Sequence, residues 1–203
     1  MPRKIIPLVN GEMYHIYNRG VDKRIVFKSK ADYLRFYMSL DVFNSLTPSH
    51  NFEAAKNKER KTADKLVQIH AYSLLPNHFH LILEQLCENG ISEFMKRVSG
   101  GYTSYFNDRH NRSGVLFQGA FKRIHIDTEE YFNYLFAYVN ENHYVHGLQR
   151  SDDIFCSSSK HYSQDVRSKI LPEVKEQFFY DPNENLKLAK EIKTKREILK
   201  TEL

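Results

Sequence analysis

The sequence predicts an α+β fold: a split βαβ arrangement, in which an antiparallel sheet carries helices on one face, with a helical C-terminal extension. Two observations lead to this prediction. Short runs with strand-like alternation and longer runs with helical spacing follow one another as β-α-β-β-α-β and then a helix. At 203 residues and 41% hydrophobic content, the chain suits one packed domain with an appendage. We expect the domain over residues 1–150 and the extension over 151–203.

The first strand and helix are predicted near the N-terminus. Residues 13–17 alternate as in a strand and stop at Asn18, Arg19 and Gly20, which form a turn signal. Residues 30–46 carry aromatic and aliphatic side chains at helical spacing. The order strand, turn, helix is the first half of the predicted arrangement.

A hairpin is predicted at the centre of the chain. Residues 67–75 and 78–84 are two apolar runs of strand length, and only Pro76 and Asn77 separate them. Such a short connection favours antiparallel pairing of the two strands.

The second half repeats the pattern. Residues 91–107 have a helical stripe, which Gly100 and Gly101 are expected to kink. Residues 115–126 look extended, a helix is predicted from Glu129 to about residue 143, and residues 185–203 form a charged amphipathic helix candidate.

The composition limits the function classes. The chain has 30 basic and 25 acidic residues, a net charge of +5, which permits a polyanionic partner without requiring one. The two cysteines, Cys87 and Cys156, are far apart in the sequence and show no C-x-x-C spacing, which excludes a structural zinc ribbon. Two distant cysteines also do not favour a disulfide framework. We find neither a signal-peptide pattern nor an apolar run of membrane-spanning length. The expected location is the cytoplasm, with no membrane partner.

A pair of histidines is the most informative feature of the chain. His78 and His80 lie two positions apart in the predicted strand, so both face one side of the sheet, while Phe79 and Leu81 face the other. The apolar face can pack against helices. The other face offers two adjacent nitrogen ligands, which suits a divalent metal ion.

Two imidazoles leave most of a metal's coordination shell open, so a third ligand is expected. Asn142 is the candidate, on the predicted helix that also carries Tyr138 one turn earlier. Two histidines and one amide oxygen, without a thiolate, favour Mg²⁺ or Mn²⁺ acting on phosphate oxygens.

Tyr138 would then lie beside a metal-bound phosphate, where a tyrosine can be a covalent nucleophile. Phenols are almost entirely protonated at neutral pH, so a metal ion or a general base must assist the attack. The alternative is that Tyr138, one of 13 tyrosines, simply packs in the core.

Basic and aromatic residues are interleaved between residues 94 and 125, against a single acid, Asp108. Cations contact phosphates and rings stack on bases, so this composition is typical of a single-strand-binding surface. A solvated helix face with core aromatics behind it would have the same composition. The predicted nucleic-acid contacts, with one from the first turn, are Arg19, Lys96, Arg97, Tyr105, Arg109, Arg112, Lys122 and Arg123.

Five segments of the chain together resemble a known family. In order they are Tyr14-His15-Ile16-Tyr17-Asn18-Arg19-Gly20, Leu75-Pro76-Asn77-His78-Phe79-His80-Leu81, Tyr102-Thr103-Ser104-Tyr105-Phe106-Asn107, Gly114-Val115-Leu116-Phe117-Gln118-Gly119 and Tyr138-Val139-Asn140-Glu141-Asn142. They are similar to the single-tyrosine (HUH, Y1) transposases of the IS200/IS605 type, closest to the REP-associated tyrosine transposases. The resemblance covers roughly residues 10–150.

The resemblance implies a ferredoxin-like (RRM-like) sheet and a metal-dependent transposase. Such enzymes nick and rejoin single-stranded DNA at a hairpin or palindrome, through a 5′-phosphotyrosine link and a free 3′-hydroxyl. The implied roles are His78 and His80 as metal ligands, Tyr138 as nucleophile and Asn142 as third ligand. Asparagine at this last position is usual in the REP-associated branch, whereas IS200-type members usually have glutamine.

The sequence departs from the family pattern at two positions. Ala120 stands where many relatives have arginine, and His143 where they usually have proline. The first bears on a DNA contact and the second on the end of the helix. Neither touches the implied catalytic set.

Two other functions remain open. A domesticated, non-catalytic nucleic-acid-binding module would keep the basic and aromatic residues without needing the histidine pair, Tyr138 and Asn142 together. A metal phosphodiesterase without a covalent step would not need Tyr138. The family contains monomers and dimers, so a homodimer is open as well.

Overall fold

The sheet is built from five antiparallel strands in the order β4-β1-β3-β2-β5 within the part of the chain that the computed structural model describes, residues 7–47, 52–56, 64–148, 156–164, 170–171 and 181–201. The strands are β1 (Met13–Arg19), β2 (Val67–Leu75), β3 (His78–Gln85), β4 (Lys122–Ile126) and β5 (Cys156–Ser157). The helices are α1 (Lys30–Val42), α2 (Phe52–Ala55), α3 (Gly90–Arg109), α4 (Glu129–Asn140), α5 (Asn142–Val145), α6 (Ser159–Gln164) and α7 (Pro182–Thr201). The predicted α+β fold with a helical C-terminal region is confirmed.

Helices α1 and α3 cover one face of the sheet. Helix α1 begins at a capping box, in which Ser29 and Asp32 each bond the other's backbone amide. Its Phe36 ring lies 5.1 Å from the Phe79 ring of β3 and 5.0 Å from the Tyr102 ring of α3. All three side chains are completely buried, so this face holds the main core.

Helix α4 packs against β2 and β3 on the opposite face. This differs from the prediction of helices on one face, which describes α1 and α3 only. The physical reason lies in the two central strands, where Ala71 and Ile82 are completely buried on this second side. Central strands that are apolar on both sides need cover on both sides.

Two predicted local features are wrong. The Gly100–Gly101 pair does not interrupt the helix, because α3 runs through it from residue 90 to 109. A Cβ atom on Gly101 would lie 2.7 Å from the Phe43 ring, so this glycine makes room for an aromatic side chain.

Residues 115–121 are not a strand, and only an isolated bridge pairs Phe117 with Gly20 before β4 begins at Lys122.

The helix predicted to run to residue 143 is interrupted. Helix α4 ends at Asn140, and Glu141 has φ −102° and ψ 21°, outside helical values. The short helix α5 then carries Asn142. A buried hydrogen bond of 2.6 Å from Ser158 Oγ to Asn140 Oδ1 ties the end of α4 to the segment after β5.

Described segments after residue 150 pack against the first part of the chain. Strand β5 pairs with β2, and α7 packs on α4 and α5. Ala189 and Ile192 of α7 are buried with Val145, and Tyr134 and Tyr138 pack against this cluster. None of the helices in the described residues combines the length and the apolar character that crossing a bilayer requires.

Candidate active site

The two histidines of β3 lie on the face that α4 covers. His78 stands opposite Arg19 and His80 opposite Tyr17 in the pairing of β3 with β1. Their ring centroids are 5.1 Å apart and the ring planes are nearly perpendicular, at 85°. Because His80 is buried and His78 is half-buried, the pair sits where the sheet surface meets solvent.

Each histidine has a protein partner at its Nδ1 atom. His78 Nδ1 lies 2.6 Å from Asn77 Oδ1, and His80 Nδ1 lies 2.9 Å from His15 Nε2. Burial lowers the pKa of His15 to about 4, so His15 is neutral at neutral pH. A metal ion held by these rings would therefore be bound through their Nε2 atoms.

Tyr138 lies beside this pair, as the sequence predicts. Its ring centroid is 5.4 Å from that of His80 and 6.4 Å from that of His15, both in edge-on arrangements. Tyr138, His78 and His80 line one pocket of about 420 Å³. A phenol group and two imidazole rings can thus face the same bound molecule.

Asn142 is buried one short helix away, and the residues that line the pocket do not include it. Among the described residues, neither Oδ1 nor Nδ2 of Asn142 has a hydrogen-bond partner. Asn140, equally buried two positions earlier, is satisfied at both amide atoms by Ser158 and by the Phe136 carbonyl. An unpaired buried amide costs free energy, so Asn142 is the unusual member of the two.

The donor types fit a divalent metal ion. Over the ranges that the structure covers, no three His, Cys, Asp or Glu side chains are grouped so that they could hold a metal ion. Two imidazoles therefore need a ligand of another type, and the unsatisfied Asn142 amide offers an oxygen. The roles of His78, His80 and Asn142 as ligands stay predictions.

Three residues beside the site were not singled out from the sequence. His15 and Asn77 hold the rings of the histidine pair, and the His146 ring lies 4.9 Å from that of His78. His146 follows Asn142 by four residues, a helical spacing that could have drawn attention to it. The contacts of His15 and Asn77 depend on chain folding and carry no such signal.

Three cations surround the pocket: Arg19, Lys23 and Lys122. Arg19 Nε donates to Gln118 Oε1 at 2.8 Å, which ties the loop before β4 to the end of β1. Lys122 stands opposite Tyr17 in the β1–β4 pairing, on the same face as His80. Two of the predicted nucleic-acid contacts, Arg19 and Lys122, therefore lie at the pocket.

The other predicted contacts lie on the side of α1 and α3 and have partners within the protein. Arg97 bonds Glu93 Oε1 at 2.9 Å and the Ser45 carbonyl at 2.7 Å. Arg109 lies 3.6 Å from a carboxylate oxygen of the buried Asp32. The remaining four are Lys96, 3.6 Å from Glu93; Tyr105, packed on Tyr102; Arg112, bonded to Asn107 and the Val115 carbonyl; and Arg123, opposite Ile16.

A sequence model of the family described as "Transposase IS200 like" matches residues 44–142. Residues 44–142, just under half of the chain, are therefore similar to IS200-like transposases. Among solved structures, the chain is similar to a REP-associated tyrosine transposase bound to a REP hairpin, with 15% identity and a TM-score of 0.49 over 88% of this chain and 95% of that one. No curated protein matches the chain.

The matched region contains the whole predicted catalytic set. His78, His80 and Tyr138 lie within it, and Asn142 is its last residue. His15 and His146 fall outside the matched span.

Proposed function

We propose that this chain is a metal-dependent transposase of the REP-associated branch, which nicks and rejoins single-stranded DNA at a hairpin through a 5′-phosphotyrosine intermediate. The observation that carries the proposal is the edge-on contact of Tyr138 with His80 in the pocket that His78 also lines. Asparagine rather than glutamine at position 142 favours the REP-associated branch.

The chemistry assigned to the protein is a transfer between oxygens at phosphorus. The phenol oxygen of Tyr138 forms a bond to the scissile phosphorus and loses its proton, while the bond from phosphorus to the 3′-oxygen breaks and that oxygen takes up a proton. A 3′-hydroxyl attacking the phosphotyrosine reverses the step and joins strands. A Mg²⁺ or Mn²⁺ ion held by His78, His80 and Asn142 would supply positive charge to the phosphate oxygens.

The two parts of the chain receive different roles in this proposal. Residues 1–150 carry the nucleophile, the ligands and the cations at the pocket. Within 151–203, α7 supports the helix of the nucleophile, because Ala189 and Ile192 form the cluster against which Tyr138 packs.

Covalent trapping tests the proposed function. The protein is mixed with labelled single-stranded DNA that carries the palindrome flanking its gene, with Mg²⁺ or Mn²⁺, and is then boiled in detergent. A phosphotyrosine ester survives this treatment, so we expect a labelled protein band that disappears when a chelator is added. Binding of the same DNA without any covalent band would instead support the non-catalytic binding module.

We predict that the cations at the pocket contribute more to DNA binding than those of α3. Lys122→Glu should weaken single-strand binding and lower the slope of log affinity against log salt by about 0.7 for each lost phosphate contact. Lys96→Glu is the matched control, because Lys96 is highly exposed but lies on α3. Fluorescence anisotropy across a salt series measures both. Equal effects of the two substitutions would place DNA on both faces of the sheet.

We predict that Asn142→Leu stabilises the metal-free protein while weakening Mn²⁺ binding. The substitution replaces an unpaired buried amide with an apolar side chain of similar size, which should raise the free energy of unfolding by about 1 kcal/mol. Asn140→Leu removes the hydrogen bond with Ser158 and should lower the free energy of unfolding by a similar amount. Denaturant unfolding and calorimetric Mn²⁺ titration check both variants. Unchanged Mn²⁺ affinity in Asn142→Leu would remove Asn142 from the ligand set.

A further inference from the structure

The Asn77 side chain bridges the first loop of the chain and the first residue of the histidine pair. Its Nδ2 atom donates to the Lys23 carbonyl at 3.3 Å, and its Oδ1 atom lies 2.6 Å from His78 Nδ1. Lys23 precedes Asn77 by 54 residues, so the contact joins distant parts of the chain.

These two contacts together determine where the proton of His78 resides. A backbone carbonyl only accepts hydrogen bonds, so the amide nitrogen of Asn77 must face Lys23. The amide oxygen then faces His78, and because this oxygen also only accepts, Nδ1 of His78 must carry the hydrogen. A neutral imidazole protonated at Nδ1 has its lone pair at Nε2, the atom that can bind a metal ion.

The Lys23 carbonyl is held in place by an unusual backbone. Asp22 and Lys23 have φ values of 53° and 59°, in the left-handed region that side chains other than glycine rarely adopt. The Gly20 amide donates to the Asn77 carbonyl at 2.8 Å, and a Cβ atom on Gly20 would lie 2.3 Å from the Arg24 carbonyl oxygen. The loop is thus fitted closely around Asn77, which is expected of a contact with a positioning role.

His80 offers a contrast within the same site. Its Nδ1 partner is His15 Nε2, and a neutral imidazole nitrogen can donate or accept according to its tautomer. His15 Nδ1 has no hydrogen-bond partner among the residues described, so nothing there selects one tautomer. The Nδ1 partner of His78, by contrast, is an amide oxygen that cannot change roles.

We propose that Asn77, oriented by the Lys23 carbonyl, is a positioning residue that holds His78 in the Nδ1–H tautomer, in which Nε2 carries the lone pair that can bind a metal ion. That the ligand is a divalent metal ion rests on the function proposed above. The tautomer itself is a property of the metal-free protein and is tested without metal or DNA.

The first experiment measures the tautomer of His78 in metal-free protein, from the ¹⁵N chemical shifts of the ring at about pH 8, where most imidazoles are neutral. In the unmodified chain we expect the Nδ1–H form. Asn77→Ala should move at least about half of the His78 population to the Nε2–H form, since the acceptor is gone. Asn77→Asp keeps an acceptor and should retain the Nδ1–H form. The His80 ring is the internal reference and should be unchanged in all samples.

Lys23→Ala is the matched control, because it removes the ammonium group from the pocket but leaves the carbonyl in the backbone. It should leave the His78 tautomer unchanged. An Nε2–H form of His78 in the unmodified chain or in Asn77→Asp would overturn the proposal, and so would an unchanged tautomer in Asn77→Ala. Because Asn77→Asp and the unmodified chain can each overturn it, the test stands even if Asn77→Ala does not fold.

The second experiment measures Mn²⁺ affinity by calorimetry. Loss of a partner that orients a metal-binding histidine typically lowers affinity ten- to 100-fold, and we expect a loss of about that size in Asn77→Ala and recovery in Asn77→Asp. Equal affinity in both variants would overturn the positioning role. Failure of the unmodified chain to bind Mn²⁺ would contradict the proposed function instead, and the ¹⁵N shifts would still decide the role of Asn77.

Discussion

Tyr138→Phe is expected to abolish the covalent protein–DNA adduct, by at least about 1,000-fold, while DNA binding persists. The substitution removes the phenol oxygen to which the proposed function assigns the phosphotyrosine bond. It leaves the ring, which packs edge-on against His80 and against the cluster of Ala189 and Ile192, so the fold should be unchanged. Denaturing gels of the labelled adduct and anisotropy binding of the same strand provide the two readouts.

The same region supplies matched controls for this prediction. Tyr134 precedes Tyr138 by one helical turn, is also half-buried and packs against the same cluster, but the pocket lining does not include it. Tyr134→Phe should therefore retain the adduct, as should the corresponding changes at Tyr131 and Tyr144. An adduct that persists in Tyr138→Phe would show that another residue is the nucleophile.

Replacing both His78 and His80 with alanine is expected to eliminate divalent metal binding without unfolding the protein. The two side chains face the pocket, where His78 contacts Asn77 and His80 contacts His15 through ring nitrogens. Loss of these bonds should cost about 1–3 kcal/mol in total. Metal binding should fall below detection, because an amide oxygen alone is a weak site.

Phe79→Ala is the control from the same strand, with the opposite expectation. Phe79 is completely buried, with its ring 5.1 Å from that of Phe36 and 5.5 Å from that of Phe117. Its truncation should lower the free energy of unfolding by about 3–5 kcal/mol. Chemical denaturation and metal titration of the two variants separate the effects. If the double histidine variant loses as much stability as Phe79→Ala, the histidines are structural and the prediction that they bind a metal ion is wrong.

Local patterns were sufficient to predict the hairpin but not the end of helix α4, which carries Tyr138. Strand β2 has the predicted bounds and β3 begins at the predicted residue, because alternation and the Pro76–Asn77 turn are encoded within a few residues. No glycine or proline lies near Glu141 to indicate from the sequence that the helix ends there. It accompanies the bond between Asn140 and Ser158, which are 18 residues apart, and helical spacing cannot reveal such a contact.

The candidate site likewise combines features that local sequence predicts with contacts between residues far apart in the chain. Strand alternation is enough to place His78 and His80 on one face and Phe79 on the other, and the structure has them so. The groups that orient these histidines were missed, because His15 reaches His80 across 65 residues and the Lys23 carbonyl reaches Asn77 across 54. Backbone carbonyls are identical in every residue, so the sequence alone gives no indication that one of them is used.

The packing of α7 on the helix of Tyr138 has a consequence for how such a protein can diverge. The matched region ends at Asn142, whereas Ala189 and Ile192 lie far beyond it and still form the surface against which the Tyr138 ring rests. Substitutions in α7 can tilt or shift this ring without altering any residue that lines the pocket of Tyr138 and the two histidines. Under the proposed function, descendants of one gene could therefore change the speed or accuracy of strand cleavage through substitutions in α7, while the sequence motifs of the matched region stay identical.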